Sequence, residues 1–283
     1  MELLHTYHIT ALPVYSHDRP GVIVNIVNTF DLLDYVISFS QHYAGREAAV
    51  GEAHIQQMGN RKLNASIEAV MTLDPDRESY RLIEHERHDT LAKLLEAFAA
   101  GNHYGMVIDR RPDPLPPTLI TQADIVRFAA RYPGCLRGLD LDAPLTAFSC
   151  FSDKQPLVSV NEDQTALDAF AVMQQQNLNC VPVLNAQGQL VANLRAFDAG
   201  LVAASQLSIL YRPVIEFLKM ATNTSLMPVI CLPNASVREL LDGMVRARTH
   251  HVWMVNEARQ PVQVISLTDM IRWLTSATTS TTA

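Results

Sequence analysis

The chain has 283 residues, of which 48% are hydrophobic and 18% charged, a composition typical of a globular protein that is long enough to bury a core. Its net charge of −7 argues against nucleic acid or an anionic membrane as the main partner. No apolar run reaches the ~20 residues that span a bilayer, and the N-terminus lacks a signal-peptide pattern, so we expect a cytoplasmic or nuclear protein.

The first predicted elements form an incomplete unit at residues 1–41. ALPVY, at residues 11–15, is an apolar strand, and IVNTFDLLDYVI, at residues 26–37, runs from a strand into an amphipathic helix. In the later units a strand and a helix precede the strand that corresponds to ALPVY. Their counterparts here would lie before Met1, so we expect a first repeat that is truncated at its N-terminus.

A complete unit is predicted at residues 66–132. Asp89 is expected to cap the helix of TLAKLLEAFAAGN, in which Leu94 and Phe98 share an apolar face with neighbouring leucines. The segments YGMVID and LITQADIVRF then supply two strands and a second helix. The predicted order is therefore strand, helix, strand, strand, helix.

The same order recurs at residues 150–206 and 223–276. Thr165 and Ser236 take the capping position, and Glu239 gives Ser236 the spacing of a capping box. CVPVLN and VWMVNE follow as strands, and NLRAFDAGLV and ISLTDMIRWL as strand-to-helix segments. A copied unit must bury its apolar face against its neighbours, so these copies predict a tandem repeat architecture.

These residues resemble the CBS-domain family, through ALPVY with IVNTFD, VPVLN with LRAFD, and VISLTD before an apolar helix. Four such copies resemble the gamma subunit of AMP-activated protein kinase. The resemblance implies an α+β fold in which tandem CBS repeats pair into two Bateman modules that form a pseudo-fourfold disc. It also implies that adenine nucleotides bind in clefts between repeats, with an aspartate on the ribose and basic residues on the phosphates.

The resemblance implies one ribose-binding aspartate in each repeat. The matching positions are Asp31, Asp124, Asp198 and Asp269. A hydroxyl three residues earlier is kept in two repeats, whereas Asn28 and Arg195 replace it in the other two. The implied phosphate and cleft residues are Thr121, Ser266, His103, His250 and His251.

Two of these positions depart from the family pattern, in which an arginine follows the central histidine. Tyr104 and His251 stand there instead. Arginine is permanently charged, whereas histidine is mostly neutral near pH 7, so phosphate binding at His250 and His251 should be weak and tighten as the pH falls.

The residues alone allow a second interpretation. Ser or Thr followed three residues later by Asp caps a helix without any ligand, so the aspartates could be structural. His103 and His250 could be half-buried histidines at strand edges. His85 and His88 lack a third ligand nearby and are expected on a solvated polar stretch, so we predict no metal site.

No nucleophile elbow, phosphate-binding loop, zinc-protease motif or dinucleotide fingerprint is present, so we predict a non-catalytic protein. The leading hypothesis is a regulatory subunit that binds AMP, ADP or ATP. It would modulate a protein kinase in energy sensing, with the kinase catalytic and scaffold subunits of a heterotrimer as partners. The cleft between repeats three and four, with Asp198, Asp269, His250 and His251, is the preferred site.

Two alternatives stay open at this point. The chain could be a ligand-free CBS scaffold that only docks partners. It could also be the regulatory fragment of a larger enzyme or transporter.

Overall fold

A computed structural model describes residues 11–19, 21–31, 33–34, 37, 67, 83–111, 113, 115–152, 156–200, 204–221 and 226–279. The chain divides into two compact units. Unit 1 comprises Met1–Tyr80 and Val158–Met227, and unit 2 comprises Arg81–Leu157 and Pro228–Ala283. Among the described residues, no helix is long and apolar enough to cross a membrane.

The described elements are α-helices and short strands in repeating order, which confirms the predicted α+β class. In chain order they are β1 (Ala11–Tyr15), β2 (Ile23–Asn28), β3 (Ile83–Glu86), α1 (Leu91–Ala99), β4 (Tyr104–Ile108), β5 (Thr118–Thr121), α2 (Gln122–Arg131), α3 (Ser149–Ser152), β6 (Val160–Asn161), α4 (Ala166–Gln175), β7 (Cys180–Leu184), β8 (Leu190–Arg195), α5 (Ala196–Ala199), α6 (Val214–Ala221), β9 (Ile230–Cys231), α7 (Val237–Ala247), β10 (His251–Val255), β11 (Pro261–Ser266) and α8 (Leu267–Thr279).

Repeats two, three and four each contain a three-stranded sheet with one plan. The first strand pairs in parallel with the second, and the second pairs antiparallel with the third. In repeat one, the described strands β1 and β2 form an antiparallel pair, and the described residues from Thr29 to Ile37 are helical. Thr10, which stands in repeat one where the family resemblance implies a basic residue, lies outside the described residues.

The first helix of each complete repeat begins at a side-chain cap. Thr165 and Ser236 cap α4 and α7 as predicted, and Ser236 forms a full capping box with Glu239. The prediction for Asp89 was wrong by one residue, because Thr90 caps α1 and accepts a hydrogen bond from the Lys93 amide. The Asp89 carboxylate instead accepts the Glu86 amide at 2.9 Å and pairs with the Lys93 ammonium.

His85 was also expected on a solvated stretch, yet it is only 4% exposed. The alternation of side chains along β3 turns it inward, towards Leu94 and Gly105. A Cβ at Gly105 would lie 2.6 Å from Leu94 Cδ1 and 3.2 Å from His85 Cδ2. The glycine therefore leaves the space that the imidazole occupies.

The core of unit 2 is built from helices of repeats two and four. Helix α8 packs against α1 and α2, and α7 packs against α2. The connector that follows α2 adds to this core. The predicted repeats leave residues 133–149 outside any repeat, and Phe151, predicted within repeat three at residues 150–206, packs with this connector in unit 2. The side chains of Leu145 and Phe151 are fully buried, and the Gln263 side chain donates to the Phe151 carbonyl.

Two polar contacts join repeats two and four inside unit 2. The buried side-chain amide of Gln122 donates through Nε2 to Thr268 Oγ1 at 2.9 Å and also to the carbonyls of Phe98 and Asn102. Arg272 Nε donates to the Ala99 carbonyl at 3.0 Å, at the C-terminal end of α1 where carbonyl groups lack helical partners. These bonds give the helix packing a defined register.

In both units a segment that contains a proline is hydrogen-bonded to the residue just before a helix cap. The Val214 amide donates to the Gln164 carbonyl at 2.7 Å, just before the cap of α4. In unit 2 the Leu145 amide donates to the Ala235 carbonyl at 2.9 Å, just before the cap of α7. Both segments then turn apolar side chains into the core of their own unit.

We predict that Phe151→Ala lowers the free energy of unfolding of unit 2 by about 3–5 kcal/mol, because it empties a fully buried site in the core. Urea denaturation followed by tryptophan fluorescence measures this directly, since both tryptophans of the chain, Trp253 and Trp273, are buried in repeat four. Phe128→Ala is the matched control, because Phe128 is 47% exposed. An equal loss in both variants would contradict the structural role of the connector.

Candidate functional site

The four predicted aspartates share one backbone contact. Each carboxylate accepts the amide N–H of the residue three positions earlier, where a strand turns into a helix. The distances from Oδ2 to that amide nitrogen are 2.8 Å for Asp31, 2.9 Å for Asp124, 2.8 Å for Asp198 and 2.7 Å for Asp269. This contact satisfies an amide that the helix leaves unpaired.

The residue three positions earlier adds a second contact that differs between repeats. Thr121 Oγ1 lies 2.7 Å from Asp124 Oδ2, and Ser266 Oγ lies 2.6 Å from Asp269 Oδ2. In repeat one the Asn28 side chain accepts the amides of Phe30 and Asp31. Repeats two and four therefore share one local arrangement of hydroxyl and carboxylate.

The second carboxylate oxygen lies near an arginine in three repeats. Arg127 Nη2 is 2.5 Å from Asp124 Oδ1, Arg195 Nη2 is 2.6 Å from Asp198 Oδ1, and Arg272 Nη1 is 3.5 Å from Asp269 Oδ1. Exposure separates these pairs. The Asp124 side chain is 45% exposed, whereas those of Asp198 and Asp269 are at most 4% exposed.

These environments change the acidity of two carboxyl groups in opposite directions. Burial raises the pKa of Asp198, and the charge and hydrogen bonds of Arg195 only partly oppose this. Partial burial also acts on Asp124, but hydrogen bonds from Thr121 and Arg127 outweigh it and lower the pKa of Asp124. Asp124 is therefore held ionised and accessible on the surface of unit 2.

The histidines lie at the end of the sheet where these helices begin. The His103 carbonyl accepts the Gln122 amide at 3.3 Å, and the His250 carbonyl accepts the Leu267 amide at 3.0 Å. Asn179 takes this position in repeat three, where its carbonyl accepts the Ala196 amide. His251 comes next on β10, and its ring packs edge-on to Trp253. Each histidine thus lies beside the cap of its own repeat.

A surface pocket lies between α2 of repeat two and the end of α7 in repeat four. Its floor is apolar, with Val126, Met244 and Leu267 among the lining residues. Its polar lining residues are Arg127, Arg248, Thr249 and His250. Asp124 is ion-paired to Arg127, so the accessible carboxylate adjoins this pocket. The arrangement can accept an anion on the basic residues and an apolar ring against the floor.

The backbone at Arg248 is in the left-handed region, with φ of 49°. Repeats two and three have Gly101 and Asn177 at the corresponding place, two residues before His103 and Asn179, with φ of 108° and 52°. Glycine and asparagine tolerate this conformation, whereas a long side chain pays about 1–2 kcal/mol. Arg248 is thus a strained residue that lines the pocket.

Unit 2 contains seven of the nine predicted site residues, and unit 1 contains the other two. Thr121, Asp124 and His103 join Ser266, Asp269 and His250 in unit 2 together with His251, while Asp31 and Asp198 lie in unit 1. The cleft between repeats three and four stays a prediction. Sequence reasoning missed Arg127 and Arg248, although the left-handed position marked by Gly101 and Asn177 was a signal for the second.

A family model of the CBS domain matches residues 153–198 and 224–276, so these two segments carry the CBS-domain pattern. The chain is similar to the gamma-3 subunit of 5'-AMP-activated protein kinase of Sus scrofa, with 32% identity over 111 residues, which is 39% of this chain and 21% of that protein. Protein SDS23 of Phaeosphaeria nodorum is 23% identical over 59% of this chain and 32% of its own length. The matched part of the chain thus spans about a fifth to a third of the length of these relatives.

Solved structures extend the fold similarity along the chain. A Methanocaldococcus jannaschii protein, described as a proposed archaeal homologue of the kinase gamma subunit, superposes with a TM-score of 0.71 and 15% identity, covering 96% of this chain and 90% of that one. An uncharacterised conserved protein from Pyrococcus horikoshii superposes with a TM-score of 0.54 and 16% identity, covering 94% and 91%. At these identities the likeness concerns the fold.

We predict that the stabilisation due to Asp124 disappears in acid. Its folded pKa is below the ordinary value, so the ionised form stabilises the fold above the unfolded pKa and this contribution is lost as the pH falls through the folded value. Asp124→Asn, which keeps an acceptor for the Thr121 amide, should lower the free energy of unfolding near pH 7 by less than about 1 kcal/mol, because the pair is exposed.

Urea titrations at a series of pH values measure this difference, which should shrink as the pH falls from about 5 through the lowered pKa of Asp124. Asp113→Asn, at an exposed loop residue, is the control. A difference between Asp124→Asn and the parent chain that stays constant over this range would contradict the prediction.

Proposed function

We propose that this chain is a non-catalytic regulatory protein that binds an adenine nucleotide (AMP, ADP or ATP) at the pocket between repeats two and four. The observation that carries the proposal is the accessible Asp124 carboxylate beside a pocket lined by three basic residues. An ionised carboxylate can accept both hydroxyls of a ribose, and the guanidinium groups can bind phosphate.

In the proposed complex the ribose, the phosphates and the base contact different residues. Asp124, oriented by Thr121, accepts the ribose hydroxyls, while Arg248 and His250 donate to the phosphates. Arg127 moves from Asp124 towards the phosphates or stays as its partner. The apolar floor, which includes Val126 and Met244, receives the base. His103, Ser266, Asp269 and His251 lie in the same unit and stay predicted nucleotide-site residues.

The strained backbone at Arg248 supports this assignment. Strain persists where another requirement over-determines the residue, and such positions cluster at ligand-binding sites. A glycine at Arg248 would relieve the strain, as Gly101 does in repeat two. A role of the Arg248 side chain in ligand binding would explain why the strained backbone is kept at this position.

The similarity to kinase gamma subunits supports a regulatory role and a kinase partner. We propose that nucleotide occupancy shifts the conformation of a bound complex that includes kinase catalytic and scaffold subunits, in the cytoplasm. A nucleotide can do this only by the difference in its affinity for the two conformations. Energy sensing would follow if AMP and ATP differed in that respect.

A ligand-free scaffold is the second candidate function. It is favoured by the fact that each predicted aspartate caps its own helix, a sufficient structural role. The two candidates differ in a simple observable. A nucleotide that binds only the folded state raises the melting temperature by mass action, whereas a scaffold is unaffected.

We predict opposite effects of Arg248→Gly on stability and binding. Relief of backbone strain should raise the free energy of unfolding by up to about 1 kcal/mol. Loss of a charged phosphate donor should weaken the binding of AMP, ADP or ATP by at least about tenfold. Calorimetric titration measures the affinity, and urea denaturation of the same samples measures the stability.

The control is Arg137→Ser, which removes one positive charge from an exposed connector residue in the same unit. It should leave nucleotide affinity unchanged. Asp124→Ala should weaken binding to a similar extent as Arg248→Gly. If no nucleotide binds the folded parent chain, the scaffold becomes the better explanation. Binding that survives both substitutions would exclude this pocket as the site.

A further inference from the structure

Repeat three carries the same aspartate as repeats two and four but surrounds it differently. The residue three positions before Asp198 is Arg195, where the other two repeats have Thr121 and Ser266. Its guanidinium binds the carboxylate directly, with Nη2 at 2.6 Å and Nε at 3.2 Å from Oδ1. The Arg195 Nε also lies 3.3 Å from Oδ2, which accepts the Arg195 amide.

The N–H groups of Arg195 thus engage both carboxylate oxygens of Asp198. A carboxylate offers about four lone-pair positions, and here one residue supplies donors to both oxygens. The Asp198 side chain is completely buried, while the Arg195 side chain is 44% exposed. The arginine therefore covers the aspartate on its solvent side, and its guanidinium also lies 5.7 Å from the Phe197 ring.

The neighbouring strand also lacks the basic residues of the other repeats. Asn179 holds the position of His103 and His250, and Cys180 holds that of Tyr104 and His251. Cys180 pairs directly with Arg195 across the sheet, as Tyr104 pairs with Thr121. Repeat three thus has a guanidinium on both carboxylate oxygens, where repeats two and four have a hydroxyl on Oδ2, and it has no histidine at the adjoining position.

We infer that Arg195 closes the nucleotide position of repeat three by occupying Asp198 in place of a ribose. Asp198 then serves only the helix start, and the chain binds nucleotide through its other repeats. The inference rests on the proposed function, because it concerns which copies of that site are open. It makes Arg195 the residue that decides occupancy in repeat three.

The test restores in repeat three the residue found in repeat four. In Arg195→Ser, the new hydroxyl can contact Asp198 as Ser266 contacts Asp269. We expect calorimetric titration with adenosine and with AMP to show one more site per chain than the parent. Adding Asp198→Asn to this variant should remove the extra site. Arg195→Lys, which keeps a cation over the carboxylate, should show none.

The outcomes separate this inference from the proposed function. An unchanged number of sites in folded Arg195→Ser, for both probes, would overturn the inference, whatever the parent chain binds. If the parent binds neither probe and Arg195→Ser binds one molecule, the closure of repeat three is supported and the proposed function fails. An extra site in the exposed-charge control Arg137→Ser would also overturn the inference, since net charge alone would then explain the gain.

Discussion

The hydrogen bond between an aspartate and the amide three residues before it is the contact on which the rest of this structure depends. It joins the last strand of a repeat to its second helix, and all four repeats make it at 2.7–2.9 Å. Strand pairing then brings the residue just before the middle strand next to the start of this helix. In repeat two, for example, the His103 carbonyl accepts the Gln122 backbone amide. A structural cap and the polar residues of a candidate site thus lie together at one end of each sheet.

The repeats differ mainly in what they add to this shared turn. Repeats two and four add a hydroxyl and a histidine, whereas repeat three adds an arginine and an asparagine. The backbone contact is the same in each case, so the fold tolerates the exchange. Because the cap alone satisfies the helix, the surrounding charges are free to vary between repeats.

The connectors contribute more to packing than their composition indicates. The segment with Leu145 and Phe151 lacks a clear hydrophobic period, yet both side chains are fully buried in the core of unit 2. His85 is the reverse case, since it lies in a polar stretch of sequence and faces the core beside Gly105. In both cases the side chain is buried by residues from other elements of the fold. The local sequence pattern therefore does not predict its burial.

The sequence by itself determined the repeat, the order of its elements and most helix caps, because these depend on bonds between residues three or four positions apart. The tertiary structure decided which repeats share a unit, which aspartate is exposed and which arginines line the pocket. Gln122 and Thr268 are 146 residues apart, and the pocket beside them exists only once α2 and α7 pack together. Such packing depends on the shapes of whole helix faces, so the roles of Arg127 and Arg248 became visible only in the folded chain.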